Sequence, residues 1–283
     1  MDFRSKEVLA FIHQAFDEDI KDGDHSSLAA IPQGTRGKAK LLFKDNGIVA
    51  GINLAQVIIT ELDPAASFQI FKKDGDEVKY GDLGFVVEAN VHAILAGERL
   101  LLNCMQRLSG IATYTQRLVK LMGNSTSKLL DTRKTTPNLR FLEKWAVTVG
   151  GGYNHRIGLY DMIMLKDNHV DYAGGITKAV EQTRNYLKEK NLDLKVEVET
   201  RNLDEVKEAL NCVGVDRIML DNFTPAQIVD ALKVINGKVE TEASGGINET
   251  NLAEYAATNV DFISIGALTH SVKSLDISLK ETD

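Results

Sequence analysis

Val196-Glu197-Val198, Ile218-Met219-Leu220, Val239-Glu240-Thr241 and Phe262-Ile263-Ser264-Ile265 are four short strand-like runs spaced by about 22 residues. That interval holds one strand, one helix and two turns. Ile163-Met164-Leu165 extends the series upstream, and helical patterns fill the gaps at 176–190, 203–211, 225–235 and 252–257. Asn202-Leu203-Asp204-Glu205 sets an N-cap side chain three residues before a carboxylate. Thr224-Pro225-Ala226-Gln227 repeats the spacing with Pro at the first helical position. Each cap follows a strand closely, so these are βα units. Several in a row imply a parallel sheet, and their even spacing favours a barrel, with an open doubly wound sheet as the alternative. The Gly-x-Gly-x-x-Gly fingerprint of dinucleotide-binding sheets is absent.

The first hundred residues read differently. A helix is predicted over 7–17 and another over 52–62, with strand-like segments at 37–43 and 68–71. Asp74-Gly75-Asp76-Glu77 and Tyr80-Gly81-Asp82 are turn signals. The stretch 74–82 resembles a strand pair of lipoyl and biotinyl carriers, but no modifiable Lys tip follows, so a structural hairpin is the better reading. A long helix over 91–122 bridges into the second half. The expected division is an α/β sandwich domain over 1–110 and an α/β-barrel catalytic domain over 111–270. The boundary falls at the Ser109-Gly110 break, and the tail 271–283 is free to pack back on the first domain.

The chain has 283 residues, 43% of them hydrophobic, and a formal net charge of −7. Such an acidic chain is a poor candidate for nucleic-acid or membrane-surface binding. Its first residues have no apolar core or cleavage site of a secretory signal, and no run of about 18 apolar residues occurs. Cys104 and Cys212 are far apart among apolar residues, which fits buried reduced thiols and a cytoplasmic protein.

Barrel active sites form where strands end. The residues following the apolar runs are Asp131-Thr132-Arg133-Lys134, Lys166-Asp167-Asn168-His169, Glu199, Asp221-Asn222, Ser244-Gly245-Gly246 and Gly266-Ala267. Gly150-Gly151-Gly152-Tyr153-Asn154-His155-Arg156 lies before Lys166. Between Asp131 and Val170 there are six Lys or Arg against four Asp or Glu, in a chain that is acidic overall. Arg133, Lys134, Arg156 and Lys166 at one rim suit an anionic ligand, carboxylate or phosphate, or else a solvated ion-paired face. Glu199 and Asp221 suit Mg²⁺, directly or through water, or sugar hydroxyls; the alternative is that they cap helices or pair with rim cations. The glycine turns at 244–246 and 266–267 offer backbone N–H groups to a phosphate, although tight turns need Gly anyway. Lys166 alone also fits a Schiff-base aldolase.

At this point the residues resemble a family. Asp131-Thr132-Arg133-Lys134-Thr135-Thr136-Pro137, then 150–159, then Lys166-Asp167-Asn168-His169 are similar to quinolinate phosphoribosyltransferases. So are 196–200, Leu220-Asp221-Asn222, 242–247, 264–270, and Gly97-Glu98-Arg99-Leu100 with Asn103. The resemblance runs over nearly the whole chain. Asn138, where Gly is expected, and Trp145, where Tyr is usual, are minor departures.

The resemblance implies an α/β fold, with an N-terminal α+β sandwich and an incomplete, TIM-like (β/α) barrel, in a homodimer or hexamer. It implies transfer of phosphoribosyl from phosphoribosyl pyrophosphate to quinolinate with decarboxylation, in NAD biosynthesis, and Mg²⁺ as cofactor. Quinolinate would be held by Thr132, Arg133, His155, Arg156 and Lys166, and by Arg99 lent across the subunit interface. Lys134, Glu199 and Asp221 would be catalytic at the ribose, with Glu199 and Asp221 also at the metal. Ser244, Gly245, Gly246, Gly266 and Ala267 would cradle the 5′-phosphate, and His270 has no assigned role. A paralogue of the same family, encoded at a molybdenum locus and acting on another ring carboxylate, is the rival.

Overall fold

The computed structural model describes residues 1–283. Strands β1 (Arg36–Phe43), β2 (Gly47–Ile48), β3 (Ser67–Ile70), β4 (Glu77–Val78) and β5 (Leu83–Asn90) come first, among helices α1 (Lys6–Asp19), α2 (His25–Ala30) and α3 (Ile52–Leu62). Helix α4 (Val91–Leu121) leads to β6 (Lys128–Leu130), α5 (Arg140–Val149) and β7 (Ile163–Leu165). Then follow α6 (Asp167–Ala173), α7 (Ile176–Lys190), β8 (Val196–Thr200), α8 (Leu203–Asn211), β9 (Arg217–Asp221) and α9 (Pro225–Ile235). The chain closes with β10 (Glu240–Ser244), α10 (Leu252–Ala256), β11 (Phe262–Ser264), α11 (Ala267–His270) and β12 (Ile277–Thr282). It divides into two compact units, one of residues 1–116, 137–151 and 272–283, the other of 117–136 and 152–271.

The first unit carries an antiparallel sheet in the order β12-β1-β5-β3. Period-two alternation buries Ala39, Leu41 and Phe43 of β1 with Phe85, Val87 and Ala89 of β5. The 74–82 stretch is not the expected hairpin: β4 pairs with β2, and Asp74 Oδ1 accepts the Gly51 and Ile52 N–H groups at 2.6 and 2.8 Å, capping α3 from outside. Ser109 and Gly110 lie inside α4, which runs unbroken as the expected helix over 91–122 requires. The Ser109 hydroxyl accepts the Ala50 N–H at 2.9 Å, and Gly110 lies against the Lys273 carbonyl, where a Cβ would have no room. Close approach, not helix termination, explains that glycine. The sequence reading also lacked α5. Asn138 just before it has φ +63°, a left-handed conformation that Asn tolerates, which explains its standing where Gly is expected. Trp145 packs edge-on against Phe3, centroids 4.9 Å apart.

The second unit is a six-stranded, all-parallel sheet in the order β6-β11-β10-β9-β8-β7. Tyr153 adds a single bridge beside β6: its N–H donates to Leu129 O at 2.8 Å, and it accepts the Asp131 N–H at 3.1 Å. No strand joins that bridge to β7, so the barrel is incomplete, as expected. On one face of the strands Val196, Val198, Ile218, Leu220, Ala243 and Ile263 are fully buried. Alternate positions put Glu197, Glu199, Arg217, Met219, Asp221, Glu242, Ser244 and Ser264 on the other face. The fourth strand begins at Glu240 rather than Val239.

Thr224 and Gln227 form the full reciprocal cap of α9. At α8, Asn202 accepts the Asp204 and Glu205 N–H groups, but Glu205 takes the Arg201 N–H instead of closing the box. Cys104 is buried, and burial pushes its thiol up to about 12. Cys212, expected to be buried, is only half-buried because it caps the end of α8. No helix is long and apolar enough to cross a membrane.

Candidate active site

The C-terminal ends of β6–β11 surround a cavity of about 690 Å³ lined only by the second unit. Thr132, Arg133, Lys134, His155, Arg156 and Lys166 line one part of it. Glu199 and Asp221 line another, and Ser244, Gly245, Gly246, Gly266 and Ala267 a third. Every site residue predicted from the sequence is therefore brought together except Arg99, which is exposed on α4 of the first unit. A groove of ≈ 710 Å³ between α7 and α8 is as large. It lies away from the strand ends, and its Glu208 is spent on the Thr177 N–H and hydroxyl.

Short-range contacts explain how the loops hold their cations. The Lys134 N–H donates to Thr132 Oγ1 at 3.1 Å, and the Thr269 hydroxyl donates to Lys134 O at 2.8 Å. Buried Asp131 accepts the His155 N–H at 2.8 Å, and Asp161 accepts the Ile157 and Gly158 N–H groups, both at 2.7 Å. The 155–161 loop is thus pinned at both ends. Arg156 Nη1 donates to Met162 O at 3.2 Å. Burial pushes the Arg156 pKa down, and the nearby Arg133 cation pushes it further. Two guanidiniums that repel each other at a cavity wall favour an anion between them.

Lys166 caps α6, and its N–H donates to His169 Nδ1 at 3.0 Å. Its Nζ lies 3.6 Å from Glu199 Oε2. Glu199 and Asp221 end neighbouring strands and are half-buried. Burial raises both carboxyl pKa values; the Lys166 cation opposes this, and the Asp221 charge adds to it at Glu199. The Asn222 amide donates to Asp221 Oδ2 at 2.6 Å.

Glycine is required at two positions of the third group. Gly245 has φ +92° and lies against the Asn222 side chain. A Cβ on Gly266 would stand 2.9 Å from Lys134 Cδ and 3.1 Å from His270 Nε2. His270, which also lines the cavity, shares a 2.6 Å hydrogen bond with the Ser271 hydroxyl.

Below the cavity lies a group that the sequence reading missed. His155 Nε2 is 3.1 Å from Glu197 Oε2 and 3.2 Å from Glu242 Oε2, and all three residues are buried. Arg217 Nη1 stands 3.1 Å from Glu242 Oε2, and its Nη2 stands 3.1 Å from Glu240 Oε2. The guanidinium lies 3.9 Å from the Phe262 ring centroid. The signal was present: Glu197 and Glu242 lie two residues before Glu199 and Ser244, hence on the same strand face.

Burial would lower the His155 pKa, but Glu197 and then Glu242 raise it to about 9. Burial, then the Glu242 charge, pushes the Glu197 carboxyl up to about 7. His155 Nδ1 accepts the Arg156 N–H at 2.7 Å, so the ring's own proton is on Nε2. The trio shares a further proton near neutral pH, and its titration belongs to the group as a whole. The folded trio binds this proton more tightly than the unfolded chain does. Its stabilisation is full below pH 6.5, the ordinary His value, and is lost as pH rises through about 9. The expected result is a loss of about 3 kcal/mol of stability between those limits. Thermal unfolding across that range checks it; a flat Tm contradicts it.

Residues 24–109 match the family "Quinolinate phosphoribosyl transferase, N-terminal domain", and residues 111–280 match its C-terminal domain. The chain is 47% identical over 291 residues to a chloroplastic nicotinate-nucleotide pyrophosphorylase [carboxylating] of Arabidopsis thaliana, covering 97% of this chain and 82% of that protein. It is 42% identical to a probable nicotinate-nucleotide pyrophosphorylase [carboxylating] of Bacillus subtilis, covering 98% and 94%. The crystal structure of NadC from Streptococcus pyogenes superposes with a TM-score of 0.94 at 41% identity and covers 100% of both chains.

Proposed function

We propose how the reactants lie in this cavity from one premise: the chain belongs to the quinolinate phosphoribosyltransferase family. It transfers the phosphoribosyl group to quinolinate in NAD biosynthesis, the activity of a carboxylating nicotinate-nucleotide pyrophosphorylase. The Arg133–Arg156 pair carries the placement of quinolinate. Two adjacent guanidiniums with Lys166 opposite suit a ring that bears two carboxylates, and Thr132 and His155 complete that wall. The glycine turns at 244–246 and 266–267 take the 5′-phosphate on backbone N–H groups, with Lys134 reaching toward it over Gly266.

The pyridine nitrogen then faces the anomeric carbon. As its lone pair forms the new C–N bond, the bond to pyrophosphate breaks and the ribosyl centre becomes cationic. Glu199 and Asp221 stabilise that charge from fixed positions. The ring carboxylate beside the nitrogen leaves as CO₂, its bonding electrons drawn to the pyridinium, and the ring carbon takes up a proton. The products are nicotinate mononucleotide, CO₂ and pyrophosphate. The protein's main task is to hold two polyanions together, which the converging cations accomplish.

Glu199 and Asp221 also fit a hard divalent cation: they are half-buried oxygen donors with excess negative charge, opposed locally by one ammonium. Mg²⁺ held there would neutralise the pyrophosphate oxygens. Arg99, exposed and outside the cavity, is assigned to the site of a neighbouring copy in a homodimer or hexamer, a reading supported by the family resemblance. Free Cys104 and Cys212 support work in the cytoplasm.

The test supplies purified protein with phosphoribosyl pyrophosphate, Mg²⁺ and either quinolinate or nicotinate, and follows mononucleotide and CO₂ by mass spectrometry. Product is expected from quinolinate alone. Turnover of nicotinate at a matching rate would remove the dicarboxylate role of the cation wall.

A further inference from the structure

Glu197 does not line the cavity, yet it sits in a chain of contacts that ends on the substrate wall. Its Oε2 is 3.1 Å from His155 Nε2; His155 Nδ1 accepts the Arg156 N–H at 2.7 Å; and Arg156 faces the cavity. We propose that Glu197 is a positioning residue for quinolinate, which acts by fixing His155 and, through it, the backbone that aims the Arg156 guanidinium. The proposal rests on the reading that Arg156 holds a ring carboxylate.

Packing alone gives Glu197 no reason to be there. Both of its carboxylate oxygens are buried, and the contact that Oε2 makes is with His155 Nε2. The other carboxylate of the trio is compensated independently: Glu242 has Arg217 at 3.1 Å and a hydrogen bond from Ser264. Arg217 in turn has Glu240 and the Phe262 ring. That leaves His155 as the close partner of Glu197. Replacing a buried charge pair by apolar side chains of similar volume is often neutral or stabilising. Strand β8 is already anchored by Val196 and Val198 on its other face. A buried carboxylate joined to a substrate-facing arginine through one imidazole is best explained by orientation. The imidazole transmits it in a definite sense: with Nε2 toward the carboxylates, Nδ1 is left as the acceptor that the Arg156 N–H requires.

The test uses the full chain with Glu197→Met, Glu197→Gln and, as a control, Arg156→Ala. Calorimetry measures quinolinate and phosphoribosyl pyrophosphate binding separately, and thermal unfolding is followed for each variant. Glu197→Met should stay folded and weaken quinolinate binding by about 10–100-fold, by analogy with the loss when the partner that orients a metal-binding histidine is removed. Phosphoribosyl pyrophosphate binding should be unchanged. Glu197→Gln retains an acceptor oxygen and should lose clearly less. ¹⁵N spectra should show His155 Nε2 protonated in the parent chain and in Glu197→Gln. Equal weakening of both substrates, or parent-like quinolinate binding by Glu197→Met, overturns the proposal. If Glu197→Met does not fold, Glu197 is a folding residue and the proposal also fails. Arg156→Ala that binds quinolinate normally overturns instead the placement of quinolinate on which the proposal rests.

Discussion

Replacing Arg156 with alanine is expected to weaken quinolinate binding by about 2–5 kcal/mol, the range for removing one partner of a desolvated charge pair. The guanidinium is partly buried, its backbone is tied to His155, and Nη1 is tied to Met162 O. It is therefore pre-aimed, and little ordering cost offsets the contact. Arg133 and Lys166 would remain, but the paired guanidinium would be gone. Calorimetric titration of quinolinate into the variant checks this, and an unchanged dissociation constant contradicts it. Binding of phosphoribosyl pyrophosphate should persist, because the glycine turns after β10 and β11 are untouched.

Glu199→Gln should act on the other half of the reaction. The substitution preserves shape and removes one negative charge from beside the developing ribosyl cation. A fixed charge of this kind contributes roughly 10²–10³ in kcat. Lys166, 3.6 Å from Glu199, loses its counter-charge in the variant, so quinolinate binding should hold or tighten while turnover falls. Single-turnover kinetics with both substrates saturating separates the two effects. A fall in kcat below tenfold would place the charge stabilisation on Asp221 alone.

The two experiments probe opposite walls of one cavity, and the walls differ in how they are built. Glu199 and Asp221 occupy regular strand positions, where the backbone sets the direction of the side chain. Arg133, Lys134, His155 and Arg156 lie on loops, held by Asp131, Asp161 and Thr269. Changes to those three residues would loosen the cation wall without touching a reactant.

Much of this was legible in the residues. The interval of about 22 residues dictates βα units, because a strand, a helix and two turns fill it. Helices α7, α8 and α9 span the residues that the helical pattern predicts, and α8 and α9 start at the predicted caps. The residue after each apolar run must stand at a strand's C-terminal end, so the rim set of cations, carboxylates and glycines follows from chain order alone. Tertiary structure decided what depends on approach between distant segments. Gly110 sits within the predicted helix, and only the fold shows why it is glycine: it packs against the Lys273 carbonyl. Asp74 looks like a turn residue, but caps α3. His155 reads as a substrate ligand, yet its Nε2 is turned to Glu197 and Glu242, which lie 42 and 87 residues further along the chain. Local pattern sets which face of a strand a side chain takes, because the period of two is a property of the backbone. Which charges then meet across the sheet depends on the order and register of the strands, and these are settled only when the chain packs.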